Sequence, residues 1–311
     1  MNKATPMIGS VLSLSDVSRS QLRKLVELAA VFKRRRATGG AVEQRLSGKS
    51  IGLLFEKPST RTRISFEVAV CELGGHPLFL PTSELQLGRG EPIKDTARVL
   101  SRYLHCLVAR VDSHESLLEL DRWSTIPVIN ALSDTEHPCQ TIADLLTIRE
   151  AKGRLEGLSV GWIGDGNNVC HSLMLGCALS GISLVVATPE GYEPDDELVE
   201  RAEQLGGDIT LTHDPEQAAL DADVLYTDVW MSMGQEGEWE GRHAAFDGFQ
   251  INERLLSLAF PECTVLHCLP AHRGEEITDA VIEGEHSAVF AQAENRLHAQ
   301  KALLYEMFES P

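Results

Sequence analysis

The sequence predicts an α/β protein with two domains, each a parallel β-sheet flanked by helices, joined by interdomain helices. Three observations support this prediction. The chain has 311 residues, whereas single hydrophobic cores stop growing at about 250–300 residues. Short apolar runs, typical of buried parallel strands, alternate with segments of helical periodicity. A long helical segment near residue 140 separates two such series, which places the domain division there.

The elements can be followed in order along the chain. An amphipathic helix at about residues 15–36 comes first, and the strand runs SIGLLFE, HPLFLPT, CLVARV and PVINAL follow it. The helix HPCQTIADLLTIREAKG ends at Gly153, and six more strand runs come after it: LSVGWIG, SLVVATP, DITLTH, VLYTDVW, TVLHCLP and AVFAQ. The final segment, AENRLHAQKALLYEMFES, is predicted to be an amphipathic helix that returns to the first domain. The predicted domains are therefore residues 1–138 with 294–311, and residues 139–293.

Composition limits the class of protein. Hydrophobic residues make up 43% and charged residues 24% of the chain, as in ordinary globular proteins. No apolar run approaches the ~20 residues that a membrane helix needs, so no membrane association is expected. The N-terminal segment has one early lysine and no apolar stretch before a cleavage site. We therefore expect no signal peptide and a cytoplasmic location.

The charges and the cysteines argue against two further classes. A formal net charge of −18 repels nucleic-acid phosphates, and the basic residues 33–36 are expected to be only the solvated end of the first helix. Nucleic acid is therefore not an expected partner. The seven cysteines include no C-x-x-C pair, which argues against both a disulfide framework and a structural zinc site.

Residues 59–63, Ser-Thr-Arg-Thr-Arg, stand between a predicted strand and a predicted helix. A helix start presents unpaired N–H groups at the positive end of its dipole, and hydroxyl and guanidinium donors are added here, so the motif suits an anion such as a phosphate. Capping by Ser59 and an ion pair between Arg63 and Glu67 could explain part of the motif. These interactions leave Arg61 and both threonines without a role, which favours anion binding.

A second donor-rich helix start is the His-Pro-x-Gln motif. Pro138 suits the first helical position, which puts His137 at the cap and Gln140 in the first turn. A histidine before a helix is usually only a cap, but beside an anion-binding turn it can polarise a carbonyl oxygen. Arg110 and Arg296 are further cations, for which structural ion pairs are the alternative interpretation.

The segment GDGNN follows the first strand run of the second series. Gly164 and Gly166 match two-thirds of a dinucleotide-binding fingerprint, but Val169 stands where the third glycine belongs, which argues against a nicotinamide site. Asn167 and Asn168 supply amide groups instead. These groups suit a small zwitterion better than a pyrophosphate.

Two more polar segments follow strand runs of the second series. Asp228 offers a carboxylate to a cation, and Ser232 and the backbone around Met233 offer polar contacts. Cys268 could lie beside an amine. The alternatives are a structural thiol for the cysteine and a simple hydrophobic hinge for the Met-Gly loop. Because ligands collect at the carboxyl ends of parallel strands, all these motifs are expected at functional edges of the sheets.

Four motifs occur in one order along nearly the whole chain: Ser-Thr-Arg-Thr-Arg, His-Pro-x-Gln, Asp-x-x-x-Ser-Met-Gly and His-Cys-Leu-Pro. In this the sequence resembles the aspartate/ornithine carbamoyltransferase family, and within it the members that use ornithine. The resemblance implies transfer of the carbamoyl group of carbamoyl phosphate to the side-chain amine of L-ornithine, with L-citrulline and phosphate as products. It implies a role in arginine metabolism, and neither a metal nor a cofactor.

The resemblance also implies roles for individual residues. Gln86 matches the family's loop that reaches the phosphate in a neighbouring subunit, so a homotrimer, or a multiple of trimers, with shared active sites is implied. Four residues are implied to take part in catalysis: Arg110, His137, Asp228 and Cys268. The residues implied to bind ornithine are Asn168, Asp228, Ser232 and Met233. Those implied to bind carbamoyl phosphate are Ser59, Thr60, Arg61, Thr62, Gln86, Arg110, His137, Gln140, Cys268, Leu269 and Arg296.

Several alternatives stay open. Members that use aspartate lack the second-domain motifs, and putrescine would leave Asn168 and the Ser232 loop without a carboxylate to bind. An N-acylated ornithine is compatible with the sequence. A non-catalytic binding protein on the same scaffold belongs to a different class, and the presence of Arg61, His137 and Cys268 argues against it. The sequence does not decide between arginine synthesis and breakdown.

Overall fold

The computed structural model describes residues 8–231 and 239–308. The chain forms two compact units, the first made of Met1–Leu146 and Asn295–Pro311 and the second of Thr147–Glu294. Among the described residues, no helix has the length and apolar character required to span a bilayer.

The first unit contains a four-stranded parallel sheet in the order β2-β1-β3-β4. The four predicted strands are confirmed. Its elements are α1 (Arg19–Ala37), β1 (Ser50–Phe55), α2 (Thr60–Glu72), β2 (His76–Pro81), α3 (Ile93–Tyr103), β3 (Cys106–Arg110), α4 (His114–Trp123), β4 (Val128–Leu132) and the start of α5 (Pro138–Lys152), with short 3-10 helices at Leu14–Asp16, Thr82–Glu84 and Leu87–Arg89.

The strand order of the first unit places one crevice at a defined point. From β1 the chain passes first to β2 on one side and then to β3 on the other, so the order reverses between β1 and β3. Phe55 of β1 is in register with Arg110 of β3, so the two strands end together. Ligands of open α/β sheets bind at this kind of edge.

The second unit contains a five-stranded parallel sheet in the order β7-β6-β5-β8-β9, which reverses between β5 and β8. Its elements after α5 are β5 (Ser159–Ile163), α6 (Asn168–Ser180), β6 (Ser183–Ala187), α7 (Asp196–Gln204), β7 (Asp208–Thr212), α8 (Pro215–Ala219), β8 (Val224–Thr227), α9 (Trp239–Ala245), α10 (Glu253–Leu256), β9 (Thr264–His267), α11 (Asp279–Ile282) and the start of α12 (Val289–Met307).

Two sequence predictions about the elements are wrong. The run AVFAQ, predicted as a strand, begins α12, where Val289, Gln292 and Asn295 are buried at helical spacing. A short apolar run does not distinguish a strand from a buried helix, and here the helical period is decisive. The first long helix begins at Arg19 rather than near residue 15, because Ser18 and Gln21 form a capping box at that point.

Candidate functional site

The helix start at Ser59 is held by hydroxyl groups and by one arginine. Ser59 caps α2, and its Oγ lies 3.4 Å from the Thr62 nitrogen and 3.1 Å from Thr62 Oγ1. Thr62 is fully buried, and its hydroxyl oxygen also accepts a hydrogen bond from Nη2 of Arg296 at 2.7 Å. The first turn of α2 is therefore tied to a cation on α12, within the first unit.

The two arginines of the motif have different surroundings. Arg63 pairs with Glu67 (Nε to Oε1 3.0 Å), as predicted, and its guanidinium stacks 3.7 Å from the centre of the Phe79 ring. The half-buried guanidinium of Arg61 makes no hydrogen bond, ion pair or ring contact with any residue in 8–231 or 239–308. Arg61 thus leaves its donors available to a ligand, whereas Arg63 is used by the protein.

The start of α5 places a second polar group in the same unit. The carbonyl oxygen of His137 accepts the backbone N–H groups of Gln140 and Thr141, which starts the helix. Nη1 of Arg296 donates to Oε1 of Gln140 at 3.0 Å, and Nε2 of Gln140 donates to Asp144 at 2.8 Å. The Arg296 guanidinium therefore bridges the starts of α2 and α5.

Burial determines the charge of His137. Its side chain is almost completely buried, and this desolvation lowers the pKa of the imidazole well below the ordinary value of 6.5. The cations Arg296 and Arg110 lower the pKa further. His137 is therefore a neutral imidazole at physiological pH, suited to donate a hydrogen bond to a carbonyl oxygen rather than to supply a positive charge.

The lowered pKa of His137 predicts an acid-dependent loss of stability. The unfolded chain, with a histidine pKa near 6.5, binds a proton more readily than the folded chain, so this contribution is complete above pH 6.5 and is lost as the pH falls below it. We expect urea unfolding at pH 7, 6 and 5 to show a falling free energy, with a weaker decrease in His137→Gln. An equal slope in the two proteins would contradict the prediction.

Gln86 lies on the surface of the first unit. It is exposed and directly precedes the 3-10 helix Leu87–Arg89. Its backbone carbonyl accepts the N–H groups of Arg89 and Glu91, which fixes the turn. The side chains of Gln86 and Arg89 face solvent, so the described part of this unit assigns them no contact of their own.

The segment GDGNN at the end of β5 is shaped by packing within the second unit. A Cβ atom on Gly166 would lie 2.3 Å from the Pro194 nitrogen and 2.5 Å from the Glu193 carbonyl carbon, and Gly164 has φ +151°. Asp165 forms a buried ion pair with Arg242 (2.8 Å), which also donates to the carbonyl of Trp230 at 2.7 Å. Packing and backbone conformation within the protein therefore account for both glycines, and no bound dinucleotide is needed to explain them.

Gly166→Ala is expected to destabilise the protein by about 1–3 kcal/mol, because the new methyl group overlaps backbone atoms that cannot rotate away. Urea unfolding of the variant measures the loss. Gly9→Ala is the matched control, since a Cβ there meets no atom within 4 Å. Equal urea midpoints for the two variants would contradict this prediction, because they would show that the backbone near Pro194 accommodates the methyl group at little cost in free energy.

Asn167 contributes both to the start of α6 and to the position of Asp228. Its Oδ1 caps α6 by accepting the N–H groups of Val169 and Cys170, and its Nδ2 donates to Asp228 Oδ2 at 3.0 Å. Asn168, predicted as a ligand-binding residue, is half-buried as the first residue of α6. The sequence predicts amide groups at both Asn167 and Asn168 and does not assign the cap to Asn167, although an asparagine just before an apolar helix is the expected cap.

Asp228 and Cys268, which follow the neighbouring strands β8 and β9, lie in contact with each other. The thiol of Cys268 donates to Asp228 Oδ1 at 2.8 Å, and both side chains are buried. Together with Asn167, the thiol gives the Asp228 carboxylate one donor on each oxygen. Ser232 and Met233 lie outside the described residues.

The turn after β9 is supported by a residue pair that sequence reasoning missed. Nε2 of His267 lies 3.0 Å from Oε1 of Glu276, and Nδ1 of His267 accepts the N–H of Leu269 at 2.9 Å. Leu269 has φ +59°. A left-handed conformation costs a residue with a side chain about 1–2 kcal/mol, so the surrounding contacts must hold it.

Within residues 8–231 and 239–308, two groups of side chains have spacings that a metal ion could use. In the first group, ligand atoms of Asp228, His267 and Cys268 lie within 4.8 Å of one another. Hydrogen bonds already engage these atoms, including both ring nitrogens of His267. The second group is His272, Glu275 and Glu276, in which Nδ1 of His272 lies 3.5 Å from Oε2 of Glu275. Neither donor set is therefore arranged primarily for a metal.

Comparisons with known proteins agree with the motifs. Residues 10–150 match the family model described as the aspartate/ornithine carbamoyltransferase carbamoyl-P binding domain, and residues 156–307 match that of the Asp/Orn binding domain. A Methanosarcina mazei protein named ornithine carbamoyltransferase is 56% identical, covering 96% of this chain and 98% of its own length. An Archaeoglobus fulgidus protein of the same name is 54% identical, with 96% of both chains covered.

Solved structures give the same result. The ornithine carbamoyltransferase from Pyrococcus furiosus has a TM-score of 0.92 and 50% identity, covering 96% of this chain and 97% of its own. That from Thermus thermophilus has a TM-score of 0.88 and 46% identity, with 96% and 99% covered. The two domain matches, the four ordered motifs and the relatives above 50% identity together show that this chain belongs to the aspartate/ornithine carbamoyltransferase family.

Proposed function

We propose that the chain is an enzyme that transfers the carbamoyl group of carbamoyl phosphate to the side-chain amine of L-ornithine, yielding L-citrulline and phosphate. The observation that carries this proposal is the identity above 50%, over nearly the full length, to proteins named ornithine carbamoyltransferase. The names of the two matching domains supply the substrate classes, carbamoyl phosphate for one and aspartate or ornithine for the other.

In the first unit, the start of α2 would bind the phosphate. Ser59, Thr60 and Thr62 contribute hydroxyl and backbone donors at the positive end of the helix dipole, and Arg61 contributes a guanidinium without a protein partner in the described residues. The bound phosphate would be held as a dianion by donors on one rigid helix. This arrangement positions the carbamoyl carbon for attack.

The carbamoyl oxygen would be stabilised by the second polar group. Neutral His137 can donate a hydrogen bond to it, and the cations Arg110 and Arg296 favour the negative charge that develops there. Gln140, which contacts Arg296 and Asp144, would bind the carbamoyl amide. Stabilisation of the developing oxyanion then lowers the barrier to the tetrahedral intermediate.

In the second unit, Asp228 would attract the substrate's cationic amine, with Cys268 and Leu269 beside it. Asn168, Ser232 and Met233 would serve the α-amino-acid end. The neutral amine attacks the carbamoyl carbon to form the new carbon–nitrogen bond. The carbon–oxygen bond to phosphate then breaks, and the proton lost by the amine leaves on the departing group as hydrogen phosphate. No step requires a metal or a cofactor, since the phosphate is already a competent leaving group.

The substrate is tested by measuring citrulline formation from carbamoyl phosphate with ornithine, and carbamoylated product with putrescine, aspartate and N-acetylornithine under identical conditions. We expect ornithine to give the highest kcat/KM. Faster turnover of N-acetylornithine or putrescine would identify that amine, rather than ornithine, as the substrate. An absence of product with every amine would favour a non-catalytic binding protein.

The rate should depend on pH through the nucleophile. A side-chain amine has an ordinary pKa near ~10.4, so only about one molecule in two thousand is neutral at pH 7. At saturating carbamoyl phosphate and subsaturating ornithine, we therefore expect the initial rate to rise from pH 6 to beyond pH 8. A flat profile over this range would show that deprotonation of ornithine does not limit the reaction.

A homotrimer, or a multiple of trimers, with shared active sites is part of the same proposal. It is supported by exposed Gln86, which matches the family's intersubunit loop and has a free side chain in the described structure. Light scattering should give a mass of three 34.1-kDa chains or a multiple of it. When the variants Gln86→Ala and Arg61→Ala are mixed after mild dissociation, hybrid oligomers should contain some active sites in which both residues are wild type, so activity should return. No recovery of activity would argue against shared active sites.

A cytoplasmic location stays a prediction from the sequence.

A further inference from the structure

A buried histidine–carboxylate pair adjoins the turn that carries Cys268. The side chains of His267 and Glu276 are both completely inaccessible, and Nε2 of His267 lies 3.0 Å from Oε1 of Glu276. The same carboxylate oxygen accepts the backbone N–H of His272 at 2.6 Å. Glu276 is also anchored through its carbonyl oxygen, which accepts the N–H of Ile251. The proposed reaction gives neither His267 nor Glu276 a role.

The hydrogen bonds around His267 fix its tautomer. The N–H of Leu269 donates to Nδ1, so Nδ1 carries a lone pair and no proton. The imidazole proton is therefore on Nε2, where it is donated to Glu276. In the other tautomer, two N–H groups would face each other at Nδ1, and the lone pair of Nε2 would face the carboxylate.

The turn that depends on this tautomer carries Cys268. An acceptor two residues before an N–H group stabilises a turn in the manner of an asparagine side chain, and here His267 fills that position toward Leu269. Leu269 lies in the left-handed region, which a side chain occupies only when local contacts hold it there. Between these two residues, Cys268 directs its thiol to Asp228.

We propose that Glu276 is a positioning residue: it holds His267 in the Nε2–H tautomer, and His267 in turn holds the turn of Cys268 and Leu269 against Asp228. The inference rests on the proposed function, in which this turn serves the ornithine amine. His267 and Glu276 do not touch substrate in this account. They act by fixing the direction of the thiol and of the Leu269 backbone.

The tautomer can be measured on the unmodified protein. Selective ¹⁵N-histidine labelling and two-dimensional NMR of the wild-type chain should show His267 with an unprotonated Nδ1 and a protonated Nε2, and the spectrum of His267→Asn assigns its signals. A protonated Nδ1, in either the neutral or the charged imidazole, would overturn the proposal. This measurement does not require the enzyme to be active, so it tests the pair even if no citrulline is formed.

Kinetics distinguish positioning from a merely structural role. Removing the acceptor in Glu276→Leu should raise KM for ornithine about tenfold or more and raise KM for carbamoyl phosphate by a clearly smaller factor, because the released turn lies beside Asp228 and the start of α2 is unchanged. Glu276→Gln keeps an acceptor oxygen for His267 and His272, and should stay within about threefold of the wild type in both constants.

His267→Asn is the rescue variant, since its side-chain oxygen can accept the Leu269 N–H without the carboxylate. It should keep KM for ornithine within about threefold of the wild type, whereas His267→Leu should match Glu276→Leu. If the leucine variants lose kcat through a smaller active fraction but keep the wild-type KM for ornithine, the pair is structural only and the proposal fails. If Glu276→Leu does not fold, the comparison of His267→Asn with His267→Leu and the NMR measurement still decide.

Discussion

Arg61→Ala is expected to lower kcat/KM for carbamoyl phosphate about 30- to 5,000-fold, corresponding to a loss of roughly 2–5 kcal/mol in transition-state stabilisation. The guanidinium is half-buried at the positive start of α2 and has no partner in the described residues, so its donors are available for the phosphate. Initial rates at varied carbamoyl phosphate and saturating ornithine measure the effect. The melting temperature should change little, because the truncation breaks no hydrogen bond or ion pair with the described residues.

Arg63→Ala is the matched control, two residues along the same helix. Its guanidinium is already paired with Glu67 and stacked on Phe79. An exposed pair of this spacing contributes about 0.3–0.5 kcal/mol to stability, so we expect a small loss of stability and nearly unchanged kinetics. If the two variants lose the same catalytic activity, the distinction between a ligand-binding and a structural arginine is wrong.

Asp228→Asn should lower kcat/KM for ornithine about 100-fold or more and leave the affinity for carbamoyl phosphate unchanged. The substitution removes the charge that would attract the ammonium group of ornithine. It also disturbs the local hydrogen bonds. In the unsubstituted protein both carboxylate oxygens of Asp228 accept a hydrogen bond, one from the Cys268 thiol and one from the Asn167 amide. An asparagine must point its NH₂ group at one of these donors.

Two variants define what the Asp228 result means. Asp214→Asn removes the same charge from the same unit but keeps the cap of α8, because asparagine caps as well as aspartate. It should behave like the wild type. Cys268→Ser keeps a donor to Asp228 and should weaken ornithine use less than Asp228→Asn. Unchanged ornithine kinetics in Cys268→Ser would show that the thiol has no part in handling the amine.

The sequence predicts the strands of this protein well because each buried parallel strand is a short apolar run with clear punctuation. It does not predict the order of strands, which depends on contacts between distant segments, such as the pairing of β5 with β8. The run AVFAQ shows that a short apolar run does not by itself identify a strand, since its residues are buried along one face of a helix rather than in a sheet.

The candidate site likewise has features that the sequence predicts and features that it does not. Asp228 and Cys268 could be predicted because each directly follows a strand, where parallel sheets bring residues together. The contact between Asn167 and Asp228, the pair Arg242–Asp165 and the acceptor Glu276 join residues that no local pattern relates. Arg296 could be recognised as a cation of the site, but its fork onto Thr62 and Gln140 depends on the path of the last helix.

The position of Arg296 on the last helix has a consequence for how the protein is made. A ribosome releases Thr62 and Gln140 long before Arg296, and domains generally begin to fold while synthesis continues. The sheet of the first unit can therefore form early, but its two helix starts acquire their shared cation only when α12 has emerged. Lys301, which pairs with Glu72 on α2, arrives later still. The growing chain thus keeps its proposed phosphate site incomplete during most of translation, and the last helix completes it.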